Sequence, residues 1–183
     1  MTARLVVLSG PSGVGKGSVI AAVRRRHPQV WVSVSVTTRP PRPGETEGVE
    51  YHFVDQTEFT RLVAAGEMLE HDAHLSASYG TPRAPVEARL AEGLSCLLEI
   101  DVQGARQVKA ALSGALLVFL APPSVAELER RLVGRGTEDP ARVKERLELA
   151  RYELTTEGEF DTVIVNDDLW RAADALVALL DLG

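Results

Sequence analysis

Cysteine is almost missing: Cys96 is the one thiol in 183 residues, so no disulfide can form within the chain. It stands in the apolar run Leu94–Ile100 and reads as a small buried hydrophobe in a reducing compartment. Lysine is scarce as well, with Lys16, Lys109 and Lys144 the whole set among 20 basic residues. No apolar run approaches the roughly 20 residues that a membrane-crossing helix needs. The segment Leu5-Val6-Val7-Leu8 is too short for a secretory signal core and has no cleavage site after it. These shortages predict a cytoplasmic protein with no membrane partner.

The formal net charge is −6, which argues against a nucleic-acid partner. Yet arginines cluster at Arg24–Arg26, at Arg39 and Arg42, and at Arg130, Arg131 and Arg135. Local arginine clusters in an acidic chain suit a small anionic ligand. Arg24–Arg26 fall at a predicted helix end, where solvated positive charge is the simpler reading.

With 45% hydrophobic residues, a chain of this length buries one core and is expected to be one domain. Leu5–Ser9 reads as a buried strand, followed by a glycine-rich turn and a helix from about Gly15 to His27. The β-branched run Trp31–Val36 reads as a strand, Thr38–Gly48 as a loop and Tyr51–Val54 as extended. Asp55 with Glu58 has capping-box spacing and opens a helix that Gly66 closes. Thr81-Pro82 reads as a helix cap with a first-turn proline. Then follow strand Ser95–Ile100, helix Val102–Leu112, strand Ala115–Leu120, a helix capped by Ser124, a helix opened by Asp139-Pro140, strand Thr162–Val165 and helix Leu169–Leu182. Strands alternating with helices predict an α/β fold with a doubly wound parallel sheet. The polar stretch at about 33–81 breaks that rhythm and reads as an inserted lobe, and the arginine-rich stretch at about 134–151 as a mobile lid. The core is then about 1–32, 82–133 and 152–183.

Gly10-Pro11-Ser12-Gly13-Val14-Gly15-Lys16 matches G-x-x-x-x-G-K between a predicted strand and a predicted helix. Glycines let the backbone turn its N–H groups onto a phosphate, the helix N-terminus adds partial positive charge, and Lys16 reaches the β- and γ-phosphates. Position 17 is Gly17, where a Ser or Thr usually helps to hold Mg²⁺; Ser18 comes one residue later. The loop therefore predicts ATP binding, with Gly17 and Ser18 included in the site, but leaves the magnesium ligand open. Downstream, Arg39 and Arg42 lie on a proline-stiffened loop, where two guanidinium forks can converge on one phosphate. His52, His71 and His74 fit no common metal-ligand spacing.

Taken together, Gly10–Lys16, Ser35–Arg42, Tyr51-His52-Phe53, Glu70, Tyr79-Gly80-Thr81, Glu99–Gly104, Ala121–Ser124, Arg135-Gly136-Thr137 and Val163–Asp168 resemble the guanylate kinase family over nearly the whole chain. The resemblance implies a phosphate-loop nucleoside-monophosphate kinase with a GMP-binding lobe and a helical lid, acting on GMP with ATP and Mg²⁺. It implies that Ser35, Glu70, Thr81 and Asp101 face guanine and that Arg39, Arg42, Tyr51 and Tyr79 bind its phosphate. Lys16, Arg39, Arg131, Arg135 and Arg146 are implied in transfer, and Asn166 near the adenine of ATP. Guanine's N1–H and 2-amino donors call for facing carboxylates, which is chemically in keeping with Glu70 and Asp101. The segment Asp72–Ser78 matches the family pattern less well.

Single residues would not carry this reading. Glu70 alone suits a solvated strand, and Arg130 and Arg131 suit surface ion pairs. Two rivals remain open: a kinase for another monophosphate, and a non-catalytic scaffold of the kind that guanylate kinase-like domains also form. The intact phosphate loop argues against the scaffold.

Overall fold

The computed structural model describes residues 3–73, 77–133 and 140–180. Strand β1 (Leu5–Ser9) runs at the centre of a parallel sheet between β6 (Cys96–Glu99) and β7 (Leu116–Ala121), and β8 (Thr162–Val165) forms its edge, in the order β6-β1-β7-β8. Alternation along β1 feeds two cores. Val6 and Leu8 pack with helices α1 (Lys16–Arg26), α5 (Val125–Val133) and α7 (Leu169–Ala178). Leu5 and Val7 point the other way, onto α3 (Arg83–Ala91) and α4 (Val102–Ala111). Both faces being covered, the central strands carry apolar residues at every position rather than every second one.

A second sheet, β3-β2-β5-β4, is built from β2 (Ser35–Thr37), β3 (Tyr51–Phe53), β4 (Met68–Ala73) and β5 (Ser78–Pro82), with α2 (Gln56–Ala64) packed on it through Phe59. Helix α6 (Pro140–Thr155) leads back to the main sheet through a 3-10 turn at Glu157–Glu159. Among the described residues, no helix is long and apolar enough to cross a membrane.

Two elements differ from their sequence reading. Trp31–Val36 is not one strand: Val32 makes an isolated bridge to Leu97 of the main sheet, and the regular strand begins only at Ser35, in the second sheet. A β-branched run reports extended backbone and says nothing of which partner it pairs with. Thr81-Pro82 likewise ends β5, and the expected helix α3 opens directly after it with Pro82, not Thr81, as its cap residue. The Asp55–Glu58 capping box forms by half, and Ser124 with Glu127, at the same spacing, does likewise. The amide of Glu58 donates to Asp55 and that of Glu127 to Ser124. The carboxylates of Glu58 and Glu127 turn outward to arginines, Arg61 for the first and Arg130 and Arg131 for the second.

Candidate active site

The phosphate loop joins the end of β1 to the start of α1. Gly10 has φ 143° and Gly15 φ 100°, values that L side chains rarely adopt. Space is as restrictive as the dihedral angle: a Cβ on Gly10 would lie 2.4 Å from the Leu120 carbonyl oxygen, and one on Gly15 2.8 Å from Asn166 Nδ2. Lys16 folds back over its own loop, with Nζ donating to the carbonyls of Gly10 at 2.6 Å and Pro11 at 3.3 Å. Burial lowers the Lys16 pKa, opposed by the negative charges of Glu153, Glu99 and Asp101.

A cleft of about 470 Å³ opens on one side of Lys16, between α1 and the second sheet. It gathers Lys16, Gly17, Ser35, Tyr51, Glu70, Tyr79 and Asp101 from the expected set. Strand register explains the grouping, since Glu70 lies opposite Thr81 across β4 and β5, and Val36 opposite Gly80 across β2 and β5. The Glu70 carboxylate, only 5% exposed, is pushed up to about 7, chiefly by burial and further by the negative charges of Asp101 and Asp72. Thr81 is wholly buried, and its hydroxyl donates to Glu70 Oε1 at 2.6 Å. It therefore steadies the carboxylate from behind and does not line the cleft. Asp101 is committed at one oxygen, accepting the Gly104 amide at 2.7 Å as the N-cap of α4.

At the rim, the loop after β2 is held by its own ion pair. Arg39 chelates Glu45 with both terminal nitrogens, at 2.7 and 2.9 Å, and the Arg42 amide donates to the same carboxylate. These bonds bring Glu45 down to about 2, with Arg39 the main cause. The Arg39 guanidinium also lies 5.2 Å from the Tyr51 ring centre. The Arg42 side chain is exposed and outside the cleft.

On the opposite side of the phosphate loop is a groove of about 630 Å³ lined by Gly13, Gly15, Ser18, Arg130, Arg131, Asn166, Asp167 and Leu169. Asn166 is buried there and donates from Nδ2 to the Val14 carbonyl at 2.8 Å. Arg131 reaches the same Val14 carbonyl at 3.2 Å and is oriented by Glu127. From α6, Arg146 Nε approaches Ser12 Oγ at 3.4 Å. Arg135 lies outside the described residues.

Several charged residues at the site were not assigned to it from the sequence, among them Arg24, Glu99 and Glu153. Arg24 lines the cleft, and the signal was present: Lys16, Ile20 and Arg24 recur every four residues, one face of α1. Glu99 also lines it, its pKa raised by burial and restrained by Lys16 and Arg24; strand alternation from Asp101 marks it. Glu153 accepts the Ser12 amide at 2.7 Å from 141 residues away, and no local pattern announces that contact.

A family model described as guanylate kinase matches residues 2–181. The chain belongs to the guanylate kinase family. It is 64% identical over 176 residues to the guanylate kinase of Frankia casuarinae, covering 96% of each chain. To that of Thermobifida fusca it is 61% identical over 177 residues, covering 97% of this chain and 90% of the other. The crystal structure of guanylate kinase from Anaplasma phagocytophilum superposes with a TM-score of 0.76 at 36% identity, covering 98% of this chain and 85% of that one. Membership in this family fits the parallel core and the phosphate loop between β1 and α1.

Proposed function

We propose that the protein transfers the γ-phosphoryl group of ATP to GMP, yielding ADP and GDP. The observation that carries this reading is the pair of openings flanking Lys16, one with a buried carboxylate at its floor and the other beside the phosphate loop. Two nucleotides bound from opposite sides meet at the lysine, which is what in-line transfer between phosphates requires.

Glu70 and Asp101 accept from the N1–H and 2-amino donors of guanine, with Ser35 beside them and Thr81 fixing Glu70 from behind. Adenine places its amino group where guanine has O6 and offers nothing at position 2, so it leaves a buried carboxylate unpaired. Arg39, Tyr51 and Tyr79 bind the GMP phosphate, with Arg39 exchanging its bond to Glu45 for one to the incoming dianion and Arg42 joining them once its exposed side chain turns inward. The attacking GMP oxygen is already anionic, so no strong base is needed.

ATP lays its phosphates in Gly10–Ser18 and its base toward Asn166. Lys16, Arg131, Arg146 and Arg135 stabilise charge on the equatorial oxygens of the transferring group. Among the described residues no group of three His, Cys, Asp or Glu side chains is placed to hold a metal. A magnesium ion carried mainly by phosphate oxygens and water fits that donor set, with Ser18 as a protein hydroxyl at hand. Such an ion would supply charge neutralisation to the phosphates. The lobe at about 33–81 and the lid at about 134–151 close over the pair and exclude water. Lone, buried Cys96 and these substrates support a cytoplasmic setting.

The test is ADP formation from MgATP with GMP, AMP, UMP and CMP offered separately. Turnover with GMP alone is expected. Turnover with another monophosphate instead, or with none, overturns the reading.

A further inference from the structure

Glu153 is the least expected member of the site. It lies on the last turn of α6, is only 6% exposed, and sends Oε2 to within 2.7 Å of the Ser12 amide. Helix α6 is anchored beside it by Ala150, which is buried in the main core, and by Leu147 and Leu154, packed against that core. A buried carboxylate is costly unless it is paired. Glu153 has the Ser12 amide and the positive charge of Lys16 in its favour, and burial and Asp101 against it.

Both favourable partners belong to the loop whose purpose is to hold phosphate. A loop amide and the loop lysine are the groups that a triphosphate recruits. An anion already among them competes with an arriving one, because two like charges in a low-dielectric site repel strongly. The same helix carries Arg146, whose Nε approaches Ser12 Oγ at 3.4 Å. Glu153 and Arg146, two turns apart on α6, therefore meet the loop at the same residue, Ser12.

We infer that Glu153 is a positioning residue that serves as an internal anion at the phosphate loop, and that an entering triphosphate displaces its carboxylate from the Ser12 amide. The inference rests on the assignment of this loop to ATP. It assigns Glu153 no contact with the reacting atoms; the residue acts through the Ser12 amide and the charge of Lys16. Its cost is weaker triphosphate binding, and what it provides is a loop held in shape at Ser12 before substrate arrives.

The substitution Glu153→Gln separates charge from shape, since the amide oxygen still accepts from Ser12 while the negative charge is gone. Calorimetric titrations with inorganic tripolyphosphate, ATP, adenosine and GMP would be run on the wild-type chain, Glu153→Gln and Glu153→Asp, with thermal unfolding recorded for each. The expected result for Gln is about tenfold tighter binding of tripolyphosphate and ATP, with adenosine and GMP unchanged. The shorter Asp, which holds Ser12 less well, should fall between wild type and Gln, and it carries the test if the Gln chain does not fold. Unchanged or weaker tripolyphosphate binding in a folded variant overturns the inference and indicates a carboxylate that only braces the loop. Failure of the wild-type chain to bind ATP would instead overturn the assignment of the loop itself.

Discussion

Thr81 and Glu70 face each other across β4 and β5, and the Thr81 hydroxyl donates to the Glu70 carboxylate at 2.6 Å inside the protein. One oxygen is thus fixed from behind, which leaves the other, Oε2, close to Gly104 and the cleft. Burial with Asp101 nearby holds this carboxyl at about 7, where modest changes in pH or ligand alter its charge.

The sign of that effect is defined. An unfolded glutamate titrates near 4.3, so between about pH 4.3 and 7 the folded chain binds the extra proton. The contribution of Glu70 to the stability of the empty protein is therefore full below that window and declines as pH rises through it. Guanine's donors favour the ionised form, so GMP binding near pH 7 should expel a proton. Calorimetry in two buffers of different ionisation heat should show buffer-dependent enthalpy. The GMP phosphate also titrates, near 6, so Glu70→Gln is the control and should lose part of the proton release. Equal release from both proteins would show that Glu70 does not change its charge on binding GMP.

Gly104 offers a separation of stability from binding. A Cβ at this helical position would lie 2.7 Å from Glu70 Oε2 and 3.2 Å from Asp101 Oδ1. Alanine gains up to about 1 kcal/mol of helix propensity over glycine, and the atoms it displaces are the ends of side chains. Gly104→Ala should therefore melt within a few degrees of wild type, while KM for GMP rises roughly tenfold or more and KM for ATP is unchanged. A parallel rise in both KM values would place the effect outside the guanine cleft.

Lys16 tests the phosphate loop. Its ammonium group donates to the Gly10 and Pro11 carbonyls of its own loop. Lys16→Ala should lower kcat on the order of 10²–10³-fold and leave the circular dichroism spectrum unchanged. Wild-type kcat in that variant would remove the lysine from the mechanism.

Much of this architecture was legible because short-range rules decide it. Leu5–Ser9 and Thr162–Val165 are strands at the bounds that their apolar runs suggest, and Asp55 caps α2 as its spacing to Glu58 indicates. The failures share a cause, which is that partner choice is not local. Val32 joins the main sheet while Ser35, three residues on, joins the other. Thr81 carries a helix-cap signature, yet it is claimed by pairing with Glu70. At the site, family resemblance named Glu70 and Asn166, but not that the first would be braced by Thr81 or that the second would hold the Val14 carbonyl. Glu153 left no trace in its neighbourhood, because its importance comes from a loop at the other end of the chain.

The account turns on whether the buried carboxylate of Glu70 reads the base. The most direct measurement is kcat/KM for GMP and for AMP in the wild-type chain and in Glu70→Gln. A site built on polar pairing discriminates by roughly 10⁴–10⁵. The account predicts that the Gln chain loses at least about a hundredfold of its preference for GMP, chiefly through KM for GMP and with its fold intact. An unchanged ratio of GMP to AMP would contradict it and assign the choice of base to other residues.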